Sequence, residues 1–586
     1  MSDSDKSKIP WWAFWQKWRV WRKSRKHSTQ TKELDSFKNW DVKTNPLAVQ
    51  PKSSVQTPTP PRRHPAPSAA VPQPRNHPPP QPTANPAAQT KPPTLTALTE
   101  FFGHRSPSDW CFGLLFVAFM AAYSTPLWLV DWPPISEATA QMGLLAHSRL
   151  PITPTANSPI QSQPLLFIGI GGDLLLREIF NVLPSKLAFS ILLQLLLLST
   201  ILSFGLLLRW GERSRWNIFL AFVVFYSAAL YSLDLNFFLA MPLILLGFGA
   251  MHNWLVQRGA WQGFMAVAIS WSLLFLQLEA YLLFVVGVFC LCLLSNANWK
   301  DRFFDFIMPA SSLLLFVPWC VFLIGMDPQL ISLPHYAALY DRLYQLFDFA
   351  LLTTHTTWNA LICMALLLTL LLGIAANVPA QTRPTPSSHR GHIFAPLAIV
   401  MLLIYFALPD YWQKYTIVTT SPLVLAYLAF IGWIQIDPSK AVGRLLIALS
   451  LAISGGYSAQ LIYAYRLYNT EQQQLQNLLR FVPTQQRLLV WKMPHSKALK
   501  LHYAQVGGIY MKEKRGISNI DLTRQLKWKW LHYDSKRNIP LPNRKSLPNL
   551  RHWDYLLTAE RLKPDHPQLK IIAHRGQFLL YQTQRP

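Results

Sequence analysis

Residues 110–130 read WCFGLLFVAFMAAYSTPLWLV, and residues 131–164 continue as DWPPISEATAQMGLLAHSRLPITPTANSPIQSQP. The first stretch is an apolar run about as long as the roughly 20 residues a bilayer-crossing helix needs. The second is an acidic, aromatic loop bracketed by prolines, with Asp131 and Glu137 on either side of Trp132, Pro133 and Pro134. A span followed at once by such a loop sets two carboxylates at a membrane surface. The later spans are expected to build a cavity beneath it for a lipid-borne substrate.

The rest of the chain has the composition of a multi-pass membrane protein. Its 586 residues are 51% hydrophobic and 14% charged, with apolar runs recurring from Trp110 to about Tyr463. Soluble character is confined to the two ends. Cys111, Cys290, Cys292, Cys320 and Cys363 fall in or beside apolar runs, so they read as small buried hydrophobes and imply no disulfide framework. The formal charge of +26 sits mostly at the ends and points to anionic lipid or phosphate. The sequence has no basic-aromatic nucleic-acid module, so nucleic acid is not an expected partner.

No apolar core of a cleavable signal peptide precedes Trp110. The chain opens instead with IPWWAFWQKWRVWRKSRKH, in which Trp11, Phe14, Trp15, Trp18 and Trp21 recur at helical spacing among Lys17, Arg19, Lys23 and Arg25. Residues 1–27 therefore read as an amphipathic helix, with residues 11–26 contacting anionic membrane lipid. Residues 28–109 are rich in proline and poor in aliphatic side chains, the composition of an extended, disordered linker.

Charge punctuates the membrane domain, residues 110–463. Basic breaks at Arg209, Arg213 and Arg215, at Arg258, at Lys300 and Arg302, at Arg383 and Arg390, and at Lys440 and Arg444 alternate with breaks carrying Asp234, Glu279, the 327–348 loop and Asp410. Placing the basic breaks in the cytoplasm makes the N-terminus cytoplasmic and gives about eleven spans, provided residues 165–185 do not cross. The 131–164 loop and the C-terminal residues then share the outer face. Residues 165–185, LLFIGIGGDLLLREIFNVLPS, carry Asp173, Arg177 and Glu178 in apolar company. Three ionisable groups make a full span costly, so a half-inserted or interfacial helix is expected. Asp173 and Arg177, four apart, could equally pair along one helix face.

Past Tyr463 the polarity rises, and residues 464–586 read as a small basic α/β domain. EQQQLQNLL suggests a short helix, Arg487–Met493 a strand, VGGIY a glycine turn, HWDYLLTAE another strand, and KIIAHRGQFLLYQTQ a hairpin about Gly576. The expected architecture is a polytopic α-helical membrane protein with a small C-terminal α/β domain and a disordered N-terminal region.

This layout resembles the GT-C superfamily of polytopic glycosyltransferases, through Ser136-Glu137-Ala138 with AQMGLLAHSRLP, Gln163-Pro164-Leu165, and LPDYWQKYTIVTTSPLVLAYLAF at 408–430. The resemblance implies a sugar donor carried on polyprenyl phosphate, an envelope lipid, glycan or protein as acceptor, and a site at the outer face of a bacterial inner membrane. Two departures stand out. Ser136-Glu137 occupies the place where the family often has an Asp-Glu pair, and Gln163 the place of a lysine in Lys-Pro-Pro-Leu.

Transfer from a lipid phosphate needs a carboxylate to take the acceptor's proton and cations to receive the departing phosphate. Asp131 and Glu137 are the candidate catalytic carboxylates. Arg149, Gln163, Asp173, Arg177, Lys186, Asp234, Glu279, Arg342 and Lys414 are candidate substrate contacts. The two carboxylates would also suit a divalent cation, although no His or Cys spacing accompanies them. Each candidate has a plainer reading. Glu137 would favour the first turn of a helix capped by Ser136, Asp131 would mark a span's water boundary, and Trp132 would anchor at the interface. His147 lacks a placed partner. Asp234 and Glu279 would cap helices. Two other functions share the layout: a non-enzymatic envelope scaffold and a glycolipid transporter, for which internal repeats would be expected.

Overall fold

The computed structural model describes residues 107–132, 134, 160–162, 171–227, 230, 235–295, 298–326, 334–336, 338–349, 357–377, 393–409, 411–412, 415–416, 420–494, 496–499, 506–514, 517–518, 531–533, 550–562 and 569–584. The tryptophan-rich segment and nearly all of the proline-rich linker lie outside them. In chain order the principal elements are α1 (Pro107–Leu129), β1 (Ile160–Ser162), α2 (Gly171–Val182), α3 (Ser185–Trp210), α4 (Ile218–Phe225), α5 (Leu235–Gln257), α6 (Ala260–Leu276), α7 (Leu278–Leu294), α8 (Trp299–Ile307) and α9 (Leu313–Met326). There follow β2 (Pro334–His335), α10 (Leu339–Phe349), α11 (Thr357–Asn377), α12 (Phe394–Ala407), β3 (Tyr411–Trp412), β4 (Tyr415–Thr416), α13 (Thr420–Trp433) and α14 (Ala441–Leu479). The C-terminal elements are β5 (Arg487–Val490), α15 (Val506–Lys514), β6 (Ile517–Ser518), β7 (Leu531–Tyr533), β8 (Tyr555–Thr558), β9 (Leu569–Arg575) and β10 (Phe578–Thr583).

The chain is a polytopic helical membrane protein. Among the described residues five helices are long and apolar enough to cross a membrane, six if the pair Trp299–Ile307 and Pro309–Val321, bent by 48°, counts as one span. Five further apolar helices among the described residues run only 10–17 residues, so length and composition there support five or six of the expected eleven crossings. α2, at 12 residues, is too short to cross. It buries Leu176 and Phe180 and exposes Leu175 and Glu178, as an interfacial helix would.

Polar contacts gather at the two ends of the bundle. At the end carrying the basic breaks, Arg215 pairs with Asp109, and Arg258 pairs with the buried Asp305, which also receives the Trp254 indole at 3.1 Å. There Asn217 caps α13 by donating to the carbonyls of Ile431 and Ile434 at 2.9 and 2.8 Å. Between the ends the core is apolar and aromatic, and glycines let side chains interlock. A Cβ on Gly287 of α7 would fall 2.5 Å from the Phe248 ring of α5. Tyrosines tie α14 to the first spans: Tyr457 donates to the Tyr226 carbonyl at 2.6 Å, and Tyr123 donates to the Ser454 carbonyl at 3.0 Å.

α14 departs from the expected short helix beginning after Tyr463. It runs unbroken for 39 residues, about 58 Å at 1.5 Å per residue, against a hydrocarbon layer of roughly 30 Å. Glu471-Gln472-Gln473-Gln474 is polar but contains no helix breaker, and the next proline is Pro483. One helix therefore crosses the membrane and becomes the platform of the C-terminal domain.

That domain is built on a five-stranded sheet of order β6-β5-β8-β10-β9. β5 lies parallel to β6 and β8, and β10 is antiparallel to β8 and β9. Alternation along the strands makes two faces. Leu488, Val490, Leu557, Phe578 and Leu580 join the main core with α14, while Leu489, Trp491, Trp553, Leu556 and Leu579 form a second cluster. The hairpin turns at Gly576, with φ +57°. The VGGIY stretch is the start of α15 and not a turn.

Candidate functional site

The site is assembled at the end of the bundle opposite the basic breaks, where α1 gives way to the 131–164 loop. Asp131 follows α1 by two residues, and the Lys186 ammonium at the start of α3 meets its Oδ1 at 2.5 Å. The two side chains are 33% and 53% exposed. An ion pair this open is worth about 0–1 kcal/mol, so an incoming anion or hydroxyl can exchange with it.

Trp132 is buried, at 4% exposure, and does not lie out at the interface as an anchor would. The Gln472 amide of α14 clasps its main chain from both sides. Gln472 Nε2 donates to the Trp132 carbonyl at 2.7 Å, and the Trp132 N–H donates to Gln472 Oε1 at 3.3 Å. The ring packs edge-on against Phe189 of α3, centroids 6.0 Å apart. Glu513, on α15, lies close enough to Asp131 to feel its charge. Its carboxyl is pushed above the usual carboxylate range, chiefly by burial, with Asp131 adding and Lys514 opposing. Glu513 as a whole residue is exposed.

The C-terminal domain reaches this end by two further ties. β1, at the close of the outer loop, pairs antiparallel with β7 in the register Ile160↔Tyr533, Gln161↔His532 and Ser162↔Leu531. Glu471 of α14 receives the Ser496 hydroxyl at 2.6 Å and the Lys497 N–H at 3.0 Å. The two described ends of the 131–164 loop and the C-terminal domain thus share one end of the molecule.

The other sequence candidates are distributed as follows. Glu137, Arg149, Gln163, Asp234 and Lys414 lie outside the described residues, as does His147. Asp173 and Arg177 fall on α2, their side chains undescribed. The N-terminus of α2 abuts the C-terminus of α6, because a Cβ on Gly171 would stand 2.9 Å from the Phe275 carbonyl oxygen. Glu279 occupies the first turn of α7, just past the extended break at Gln277. Arg342 is buried, at 2% exposure, and donates to the carbonyls of Tyr405 and Leu408 at the end of α12, while Tyr405 donates back to the Arg342 carbonyl at 2.8 Å. Its guanidinium therefore closes a helix terminus. Among the described residues no three His, Cys, Asp or Glu side chains cluster as a metal site would require.

Glu513 and Gln472 are the site residues that sequence reading passed over. Glu513 is one acid inside the basic run KEK, and Gln472 is one of three consecutive glutamines. Neither carries a local signal.

No protein-family model matches the chain, and no curated protein does. Among solved structures it is similar to the crystal structure of ArnT from Cupriavidus metallidurans in the apo state. Identity is 10% and the TM-score 0.45, over 81% of this chain and 98% of that one.

Proposed function

We propose that the protein is a membrane glycosyltransferase of the GT-C kind. It would move a sugar from a polyprenyl-phosphate carrier to a hydroxyl of an envelope lipid, glycan or protein at the outer face of a bacterial inner membrane, with the N-terminus in the cytoplasm. The observation that carries this reading is the open Asp131–Lys186 pair at the bundle end where the outer loop meets the C-terminal domain. In transfer, the bond from the acceptor oxygen to the sugar carbon forms as the bond from that carbon to the phosphate oxygen breaks. The acceptor's proton passes to Asp131, and Lys186 turns to the charge gathering on the phosphate. Competition of that phosphate for Lys186 would release Asp131 as the base.

The test is mass spectrometry of envelope glycolipids and glycoproteins in a deletion strain complemented with wild type, Asp131→Asn or Lys186→Gln at matched membrane levels. A sugar-sized mass should be present with wild type and absent from the deletion and from Asp131→Asn, and Lys186→Gln should lower it about a hundredfold or more. An unchanged glycan profile in the deletion refutes transfer and leaves an envelope scaffold. Equal restoration by wild type and Asp131→Asn removes Asp131 as base and favours transport.

A further inference from the structure

We infer that the α1–α3 seam beside Asp131 is a site for a bilayer phospholipid: Lys186 receives its phosphate, and Gln194, deeper on α3, receives its ester carbonyl. A bound phosphate would compete with Asp131 for Lys186. That consequence for transfer rests on the proposed function; the site itself does not.

Two polar contacts follow one another along this seam. The first is the Asp131–Lys186 pair, with the lysine side chain 53% exposed. Further into the bundle the Trp128 indole donates to Gln194 Oε1 at 3.0 Å. From Leu187 to Leu198 every side chain of α3 that is not fully buried is apolar except Gln194. Trp128 and Leu195 are exposed beside it, and on helices that cross a membrane such side chains meet lipid. An indole N–H can only donate, so this bond fixes the amide with its oxygen toward Trp128. The two amide N–H donors are left without a partner among the described residues. The helices are tied independently by Ser190, which donates to the Leu127 carbonyl at 3.0 Å. A polar donor facing hydrocarbon is costly unless an acceptor comes to it.

Depth decides which acceptor that is. Lys186 and Gln194 are eight residues apart (194 − 186), about 12 Å along the axis. Hydrogen bonds of about 3 Å at each end leave roughly 6 Å between the two acceptors, which suits a phosphate and an ester carbonyl joined through glycerol. A polyprenyl phosphate carries no acceptor below its phosphate, so Gln194 favours an acyl lipid. Trp128 at that level fits the interfacial belt where indoles settle.

The experiment titrates the purified full chain with phosphatidylglycerol in its diester form and in a diether form that lacks the carbonyls, counting bound lipid by native mass spectrometry. Wild type should bind the diester about three- to tenfold more tightly. Gln194→Leu should lower diester affinity to the diether level and leave the diether unchanged. Trp128→Phe breaks the same interhelical bond but keeps the amide donors, and should retain the ester preference. Lys186→Gln should weaken both forms alike. Equal binding of the two forms by wild type, or a preference that survives Gln194→Leu, would overturn the site. Loss of the preference in Trp128→Phe would do the same, by making Gln194 a tie between helices only. Tighter binding of polyprenyl phosphate, or equal binding of inorganic phosphate, would also overturn it, since neither offers a carbonyl. Lipid binding needs no sugar, so the two readings separate. If Asp131→Asn keeps full product while the ester preference holds, transfer at Asp131 falls and the lipid site stands. If the preference is absent while Asp131→Asn yields no product, the lipid site falls and the transfer reading stands.

Discussion

Replacing Gln472 with leucine tests the clasp that places Asp131. Gln472 and Trp132 are 3% and 4% exposed, so water cannot substitute for the lost amide without opening the junction. Leucine nearly matches the glutamine's length but removes both partners of the Trp132 main chain, at 2.7 and 3.3 Å, as well as the bond to the Tyr468 hydroxyl at 2.9 Å. An orphaned buried donor or acceptor costs about 1–3 kcal/mol, and the 3.3 Å bond belongs at the low end of that range. The two main-chain groups together give about 2–4 kcal/mol, or roughly 30- to 900-fold in a local opening equilibrium. Exchange of the Trp132 amide in the full chain should rise by that factor, while amides in the middle of α5, remote from the clasp, keep their protection. Glycan product should fall along with it, since Asp131 would sample positions away from Lys186. A rise of less than about threefold would show that the packing against Phe189 holds Trp132 without the clasp, and would refute the reasoning.

Gly171→Ala should destabilise the junction of α2 with α6 by about 1–3 kcal/mol. The new Cβ would stand 2.9 Å from the Phe275 main-chain oxygen, which cannot rotate away; a thermal midpoint equal to or above wild type would count against that packing. A pH effect follows from Glu513, whose carboxyl is raised above the ordinary value by burial and by Asp131, with Lys514 opposing. Between the ordinary carboxylate pKa and the raised one, the folded protein binds more protons than the unfolded chain, so stability contributed here falls as pH rises through that window and is recovered on acidification. Glu513→Gln should abolish this component and be at least as heat-stable as wild type at neutral pH; a lower midpoint with an unchanged pH slope would contradict it.

Much of the architecture is legible in local pattern. Hydropathy marks the spans, Arg215, Arg258 and their basic neighbours gather at one end of the bundle, and Gly576 sits at the hairpin where strand periodicity and turn chemistry place it. Asp131 and Lys186 both fall at ends of apolar runs, just past α1 and at the start of α3, and such ends can be read from where apolar runs stop. Errors came where a local cue competed with continuity or packing. Glu471-Gln472-Gln473-Gln474 reads as a boundary, yet good helix formers without a breaker let α14 continue. Gly507 and Gly508 read as a turn, yet they are helical in α15. Arg342 reads as a free cation until the ends of α10 and α12 meet and commit its donors to carbonyls.

The sequence alone determined that this chain is a bundle of apolar helices with charged ends and a C-terminal sheet, because apolar length, charge alternation and strand periodicity act over a few neighbouring residues. Only the tertiary structure decided that Trp132 is a buried junction, that Gln472 clasps it from 340 positions away, and that Glu513 brings a further carboxylate to Asp131. Those partners meet because α14 outruns the bilayer and carries the C-terminal domain to the end of the bundle where α1 stops, and a contact between residues so far apart leaves no periodic trace in the chain that makes it.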